Sequence, residues 1–432
     1  MTPSILLCHI RGVDALALAL RKRTDARFVT LHQPGSVVLE RAGIEHTHLD
    51  AFLSETLLGK VMDQAQTRLK SLANALRNSP ALWPELNVKS WTRLAPQMMQ
   101  LFQRDLPEQM VIVEVMRQLA ADHALSLVIT PEDVTRDART AVLAARALGV
   151  PSLHVLHGVN SGTIAAHASV VADRFAVYSE HTREHYVSNG VSPDRIVVTG
   201  NPAWDVFARP LDPASRERFC ERIGFDLDRP ILVYAMTGNP VLSVAGITRA
   251  EFHNRTTEAV VRAIAPLAAR HPDWQFALRP HPSEPSASEL FVALARDLGM
   301  NSLRIDQGTA IDCVAACDVF ACTHSNMGIE AILAGKPVVN VALDNELGDV
   351  FSEGVGPLFT EVDAVLWARD ADSIAPTLER ALLDDTAREE LRRSRPASIE
   401  RFNGNLDGKA TDRVCDLALA MAKGAKGTLG VT

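Results

Sequence analysis

The sequence predicts an α/β protein of two domains, each a parallel sheet wound with helices, facing one another across a cleft. Three observations lead there. The chain has 432 residues, more than a single core comfortably serves. Short apolar runs alternate with helix-period segments in two consecutive sets. Late in the chain, residues 319–341 form a strand–helix–strand unit with a signal at every joint. Ser325 and Asn326 are good N-cap residues, Gly335 suits the position after a helix, and Pro337 turns the chain back to extended structure. A helix capped this way aims free N–H groups and a positive dipole end at the mouth of a parallel sheet, where phosphate binds readily.

Taken in order, residues 5–10 read as a buried strand, 13–20 as a helix, 27–31 as a strand and 37–42 as a helix. Residues 54–122 break this rhythm. Leu57, Leu58, Val61, Met62, Leu69, Leu72 and Leu76 recur at helical spacing, and a second helical stretch runs from Trp91 to about Leu119. We read this helical insertion as an acceptor-side wall or a dimer face. Alternation resumes with strands at 125–130, 153–156, 174–178 and 196–198 and an Ala-rich helix at 135–148. The Asn201-Pro202 step, the apolar group Trp204, Val206 and Phe207, and the polar run 210–229 read as an interdomain connection. A second set has strands at 231–235, 275–278, 302–305, 319–323 and 338–343, with helices at 256–269 and 287–298. The expected division is an N-terminal domain 1–208, a C-terminal domain 209–395 and a helical tail 396–432. Helices at about 373–395 and 410–423 carry apolar stripes whose packing surface the sequence does not name.

Composition narrows the function classes. Hydrophobic residues make up 47% and charged residues 22%, an ordinary globular balance. The net charge of −8 and an aromatic content of 5%, with no aromatic–basic interleaving, argue against a nucleic-acid partner. The six cysteines are scattered without a C-x-x-C pair, so buried thiols are expected rather than a metal site. No signal-peptide pattern and no bilayer-length apolar run occur, so a cytoplasmic location is expected, with a peripheral membrane association left open. Gly335-Lys336 is followed by Pro337, which breaks the P-loop pattern, and no G-x-G-x-x-G follows the first strand.

Ligands in open α/β sheets bind beyond the carboxyl ends of strands, so polar residues there carry the functional weight. Arg279-Pro280-His281-Pro282 holds a histidine rigidly at a strand end beside an arginine suited to phosphate; a rigid surface turn is the plainer alternative. His324, Ser325, Asn326 and Glu330 belong to the capped helix, where a carboxylate one turn in can accept bonds from sugar hydroxyls, although a solvated Glu would look the same. His157, followed by Gly158, stands after a first-domain strand and is either a cleft residue or a satisfied core histidine. Glu132 and Asp133 follow the strand at 125–130, where one suits general-base work and the other helix capping. Thr237, Gly238 and Asn239 suit a backbone nest under a pyrophosphate, or an ordinary turn. Arg11-Gly12 beside Asp14 is a weaker signal of the same kind.

At these residues the chain resembles the GT-B glycosyltransferase superfamily. Ala172-Asp173 through Val198-Thr199-Gly200-Asn201-Pro202, with Ser179 and Gly190-Val191 between, resembles the end of the N-terminal domain in that group and in UDP-N-acetylglucosamine 2-epimerases. The 279–282 turn and the 325–337 unit resemble the donor half of capsule Kdo transferases, bacterial sialyltransferases and teichoic-acid glycerophosphotransferases. His157-Gly158 together with His281-Pro282 points to this surface-polysaccharide branch. The resemblance covers about residues 125–345 well and implies two Rossmann-like domains. It implies that His281, Ser325, Asn326 and Glu330 contact donor phosphate and ribose, while an N-terminal-domain carboxylate or histidine serves the acceptor. Two departures stand out. The paired acidic motif of the sialyltransferases is absent, and Ser325-Asn326 stand where the epimerases have a Gly-Gly pair.

The expected protein is a metal-independent glycosyltransferase without a cofactor. Its donor would be a nucleotide-activated sugar, with CMP or CDP favoured over UDP, and its acceptor a glycan or lipid-linked. Glu132, Asp133 and His157 are the expected catalytic groups, and a homodimer is among the expected assemblies. The alternatives are a hydrolysing UDP-sugar 2-epimerase and an inactive GT-B scaffold or glycan-binding subunit.

Overall fold

A computed structural model describes residues 2–8, 14–31, 33–77, 96–97, 99–158, 170–236, 243–244, 247–282, 286, 288–323, 325–343, 359 and 362–424. Thirteen of the fifteen described strands form two parallel sheets. The first contains β1 (Ser4–Leu7), β2 (Arg27–Thr30), β3 (His46–His48), β4 (Leu125–Thr130), β5 (Ser152–Val155), β6 (Arg174–Val177) and β7 (Ile196–Val198), in the order β3-β2-β1-β4-β5-β6-β7. After β8 (Ile231–Ala235) and a small hairpin, β9 (Ser243–Val244) with β10 (Ile247–Thr248), the second sheet adds β11 (Gln275–Arg279), β12 (Arg304–Ile305), β13 (Val319–Cys322), β14 (Val338–Val341) and β15 (Leu366–Ala368). Its order is β12-β11-β8-β13-β14-β15. Strand order reverses at β1/β4 in one sheet and at β8/β13 in the other, so each domain has one switch point where its strand ends open a crevice. The fold is α/β with two Rossmann-like domains.

The period-2 rule explains how the first sheet is covered. Ile5 and Leu7 pack on one face with Leu16 and Leu20, while Leu6 and Cys8 pack on the other with Leu57, Val61, Ile112 and Met116. The segment expected as an acceptor-side wall is therefore a covering layer. The helices Glu55–Arg77 and Leu106–Asp122 are the crossover from edge strand β3 to central strand β4, and their buried residues close one sheet face. Leu58 and Met62 still face outward.

The last helix, Ala410–Gly424, returns to the N-terminal domain. Val414, Cys415 and Ala418 complete the Ile5/Leu7 face, so the apolar stripe left without a surface by the sequence belongs to the first sheet. Arg23 pairs with Asp412 and with Asp416 at its rim. Asp205, in the turn Pro202–Ala208, receives the N–H groups of Ala410 (2.9 Å) and Thr411 (2.8 Å) and so caps this helix from across the chain. The expected helix at 373–395 is two helices, Ala371–Leu383 and Asp385–Asn403. They are split at Asp384, whose carboxylate accepts from Thr386 and Ala387 N–H and starts the second. All six cysteines are buried thiols.

Candidate functional site

In the second domain the predicted residues gather at the carboxyl ends of neighbouring strands, because β8 lies between β11 and β13. The predicted capped helix is present as Asn326–Leu333. The Ser325 side chain accepts from Met327 N–H at 3.3 Å, and Gly335, at φ +75°, reverses the chain after the last turn. Gly328 lets this helix lie directly on β13: an added Cβ would stand 2.7 Å from Cys322 Sγ.

Glu330, one turn into that helix, is half-buried. Among the described residues Trp204 is its single hydrogen-bond donor, with the indole N–H at 3.3 Å from Oε1. Burial pushes its carboxyl up to about 7, against opposition from the Trp204 N–H and the Arg279 charge. A carboxylate so sparsely served is a ready acceptor for ligand hydroxyls.

Arg279 ends β11, but its guanidinium is largely engaged. It donates to Asp306 Oδ2 at 2.5 Å and to the Gly308 carbonyl at 2.9 Å. Asp306 is fully buried and also holds Arg222 at 2.8 Å. Buried charge must be paired, so the expected free phosphate ligand is instead a partly committed cation whose field still reaches Glu330. His281 stands half-buried two residues on. Thr237, Gly238, Asn239, His324, Arg11 and Gly12 lie outside the described residues.

In the first domain the strand ends of β4 and β5 adjoin. Pro131, between them, accepts from both His157 Nδ1 (2.8 Å) and His154 Nε2 (3.0 Å). His157 is exposed, and with Nδ1 donating, the basic lone pair of the neutral ring lies on Nε2. Both carboxylates expected as catalytic are occupied structurally. Glu132 takes the N–H groups of Val134 and Thr135, each at 2.8 Å, and so holds the turn that leads into the helix Arg136–Ala147. Asp133 has no exposed surface: it accepts from Val171 N–H (2.6 Å) and Ala172 N–H (2.9 Å) and lies 3.4 Å from His154 Nδ1. The expectation that one of the pair would stand free for the acceptor is thus corrected. The reason is elementary: backbone N–H groups at a helix start and at a returning loop need acceptors.

The two strand-end groups meet. A Cβ built on Gly158 would lie 3.0 Å from Asn326 Nδ2, so the first-domain turn abuts the N-terminus of the second-domain helix. Trp204 and Tyr178, both buried, pack with ring centroids 5.0 Å apart and planes tilted by 49°. Tyr178 OH donates to the Leu156 carbonyl at 2.8 Å. Sequence reasoning placed Trp204 in a connection and gave Tyr178 no role. Aromatic residues at strand ends resemble core from sequence alone.

No protein-family model matches the sequence, and no curated protein matches it significantly. Solved structures do match in fold. UDP-GlcNAc 2-epimerase from Neisseria meningitidis, bound to UDP-GlcNAc, aligns with TM-score 0.60 at 14% identity over 97% of this chain and 100% of that one. A glycosyltransferase from Rickettsia africae aligns with TM-score 0.55 at 14% identity over 97% and 99%. The wall teichoic acid polymerase TagF aligns with TM-score 0.57 at 11% identity over 99% and 90%. With two facing parallel-sheet domains and these neighbours, the chain has the GT-B fold.

Proposed function

We propose that this chain is a glycosyltransferase that moves a sugar from a nucleotide-activated donor, CMP- or CDP-linked by preference, to a surface glycan or lipid-linked acceptor. One observation carries the reading: Gly158 abuts Asn326 at the N-terminus of a capped helix, with the Glu330 carboxylate, bonded among the described residues by Trp204, one turn in. In this reading the helix N-terminus receives donor phosphate and Glu330 accepts from ribose hydroxyls. Arg279 adds positive charge, and His281 a ring that can donate a hydrogen bond, where the leaving phosphate develops negative charge. His157, its Nδ1 committed to Pro131, presents Nε2 to an acceptor hydroxyl as general base.

A hydrolysing nucleotide-sugar 2-epimerase is the second reading, favoured by fold neighbours of that activity with TM-scores of 0.60 and 0.61. Incubation of the purified protein with CMP-, CDP- and UDP-sugars separates the two. Nucleotide release that requires a glycan acceptor supports the transferase, and release without acceptor supports the epimerase. Saturable glycan binding with no release would leave a scaffold and overturn both.

A further inference from the structure

We propose that Trp204 is a positioning residue that aims the Glu330 carboxylate at the donor and, through Tyr178, ties it to the strand end bearing His157. This rests on the donor-site reading above. Trp204 belongs to the turn Pro202–Ala208, which follows the first sheet, yet its indole N–H reaches into the second domain to Glu330. An indole N–H only donates, so it orders a carboxylate oxygen without competing for its proton. The ring is 2% exposed and packs at a tilt against Tyr178, which is fully buried. Tyr178 OH then holds the Leu156 carbonyl, one residue before His157. The Glu330 charge is felt at Tyr178 as well, where burial, Tyr186 and Glu330 together push the phenol up. A continuous path, from the half-buried carboxylate through the buried indole and phenol to backbone, therefore joins the proposed donor and acceptor groups.

Charged groups on the surrounding elements are turned elsewhere. Arg395 donates to the Ile332 and Leu333 carbonyls, and Lys336 to those of Ala315 and Cys317. Asp205 caps the last helix, and Asp312 pairs with Arg218. Cys322, against Gly328, is a buried thiol pushed up to about 12. Among the described residues, Trp204 and Arg279 are thus the groups that act on the Glu330 carboxyl.

Calorimetric binding of UDP, CDP and CMP to the full chain tests the proposal, with Trp204→Phe keeping the ring and deleting the N–H. The expected result is roughly tenfold weaker binding of the preferred nucleotide by W204F, the scale of one hydrogen bond to a charged group. W204F/E330A should bind no more weakly than E330A, because E330A already lacks the acceptor of the indole N–H and the pair acts as a unit. A variant that loses thermal stability but binds like wild type would assign Trp204 a purely structural role and overturn the inference. If wild type bound none of the three nucleotides, the donor-site reading itself would fall. Should W204F not fold, the tryptophan fluorescence of wild type and E330Q decides. A transition centred near pH 7 in wild type alone supports the contact, and identical curves overturn it.

Discussion

Gly158 and Asn326 come from different domains and approach closely: a Cβ on Gly158 would stand 3.0 Å from the Asn326 amide nitrogen. The amide lies at the end of a side chain and need give by only a few tenths of an ångström to admit a methyl. We therefore expect Gly158→Ala to leave thermal stability within about 0.5 kcal/mol of wild type while raising the donor KM several-fold. Adding Asn326→Ala should remove the further loss, giving a coupled double-mutant cycle. Additive effects on KM would show that the contact has no bearing on donor binding.

Glu330 links the site to pH. Its carboxyl stands at about 7 in the folded chain against an ordinary 4.5. A carboxyl raised by folding favours the folded state while protonated. That contribution is full below about 4.5 and is lost as pH rises through about 7. Glu330→Gln cannot ionise and still accepts from Trp204. It should melt above wild type at about pH 8, with the gap closing toward about pH 5. Scanning fluorimetry across this range checks it, and a gap independent of pH would refute the assignment.

Asp133 behaves in the opposite sense. Burial pushes its carboxyl up, but the His154 ring and the N–H groups of Ala172 and Val171 outweigh burial and hold it below the ordinary range. Its stabilisation is therefore present above the ordinary aspartate range and is lost as pH falls through the lowered folded value. Asp133→Asn removes one member of a buried pair and should cost about 3 kcal/mol in urea unfolding near neutral pH. The same variant, if it folds, should keep the pH optimum of turnover, since Asp133 is fully buried. A shifted optimum would return Asp133 to the catalytic set.

Asp205 tests the return of the last helix to the first domain. Asp205→Ala leaves Ala410 and Thr411 N–H without their acceptor and should cost about 1 kcal/mol. Hydrogen exchange should rise first in the helix Ala410–Gly424 and in β1 beneath it. Faster exchange spread evenly over both domains would contradict this packing.

Much of the fold was legible because parallel strands buried on both faces write continuous apolar runs, as in Ile231–Ala235 and Val319–Cys322. Elements lacking that signature escaped. Strand β3 is His-Thr-His, an edge strand with no apolar residue, and β15 has only Leu-Trp-Ala. At the candidate site, Ser325 and Gly335 were readable because caps and left-handed turns demand particular residues. The commitments of Glu132 and Asp133 were not readable, since a carboxylate after a strand looks the same whether it meets a substrate or a backbone N–H.

The sequence by itself determined two sets of parallel strands, the capped helix at 325–335 and the strand-end positions of His157, Arg279 and His281. These rest on local rules: burial period, cap chemistry and proline geometry. Only the tertiary structure decided that Gly158 would abut Asn326, that Trp204 would reach Glu330, and that Asp306 would claim Arg279. Those pairings lie 168, 126 and 27 residues apart in the chain. The first two arise from how the two domains meet and the third from the pairing of β11 with β12 in one sheet, and no spacing rule in a linear sequence encodes either.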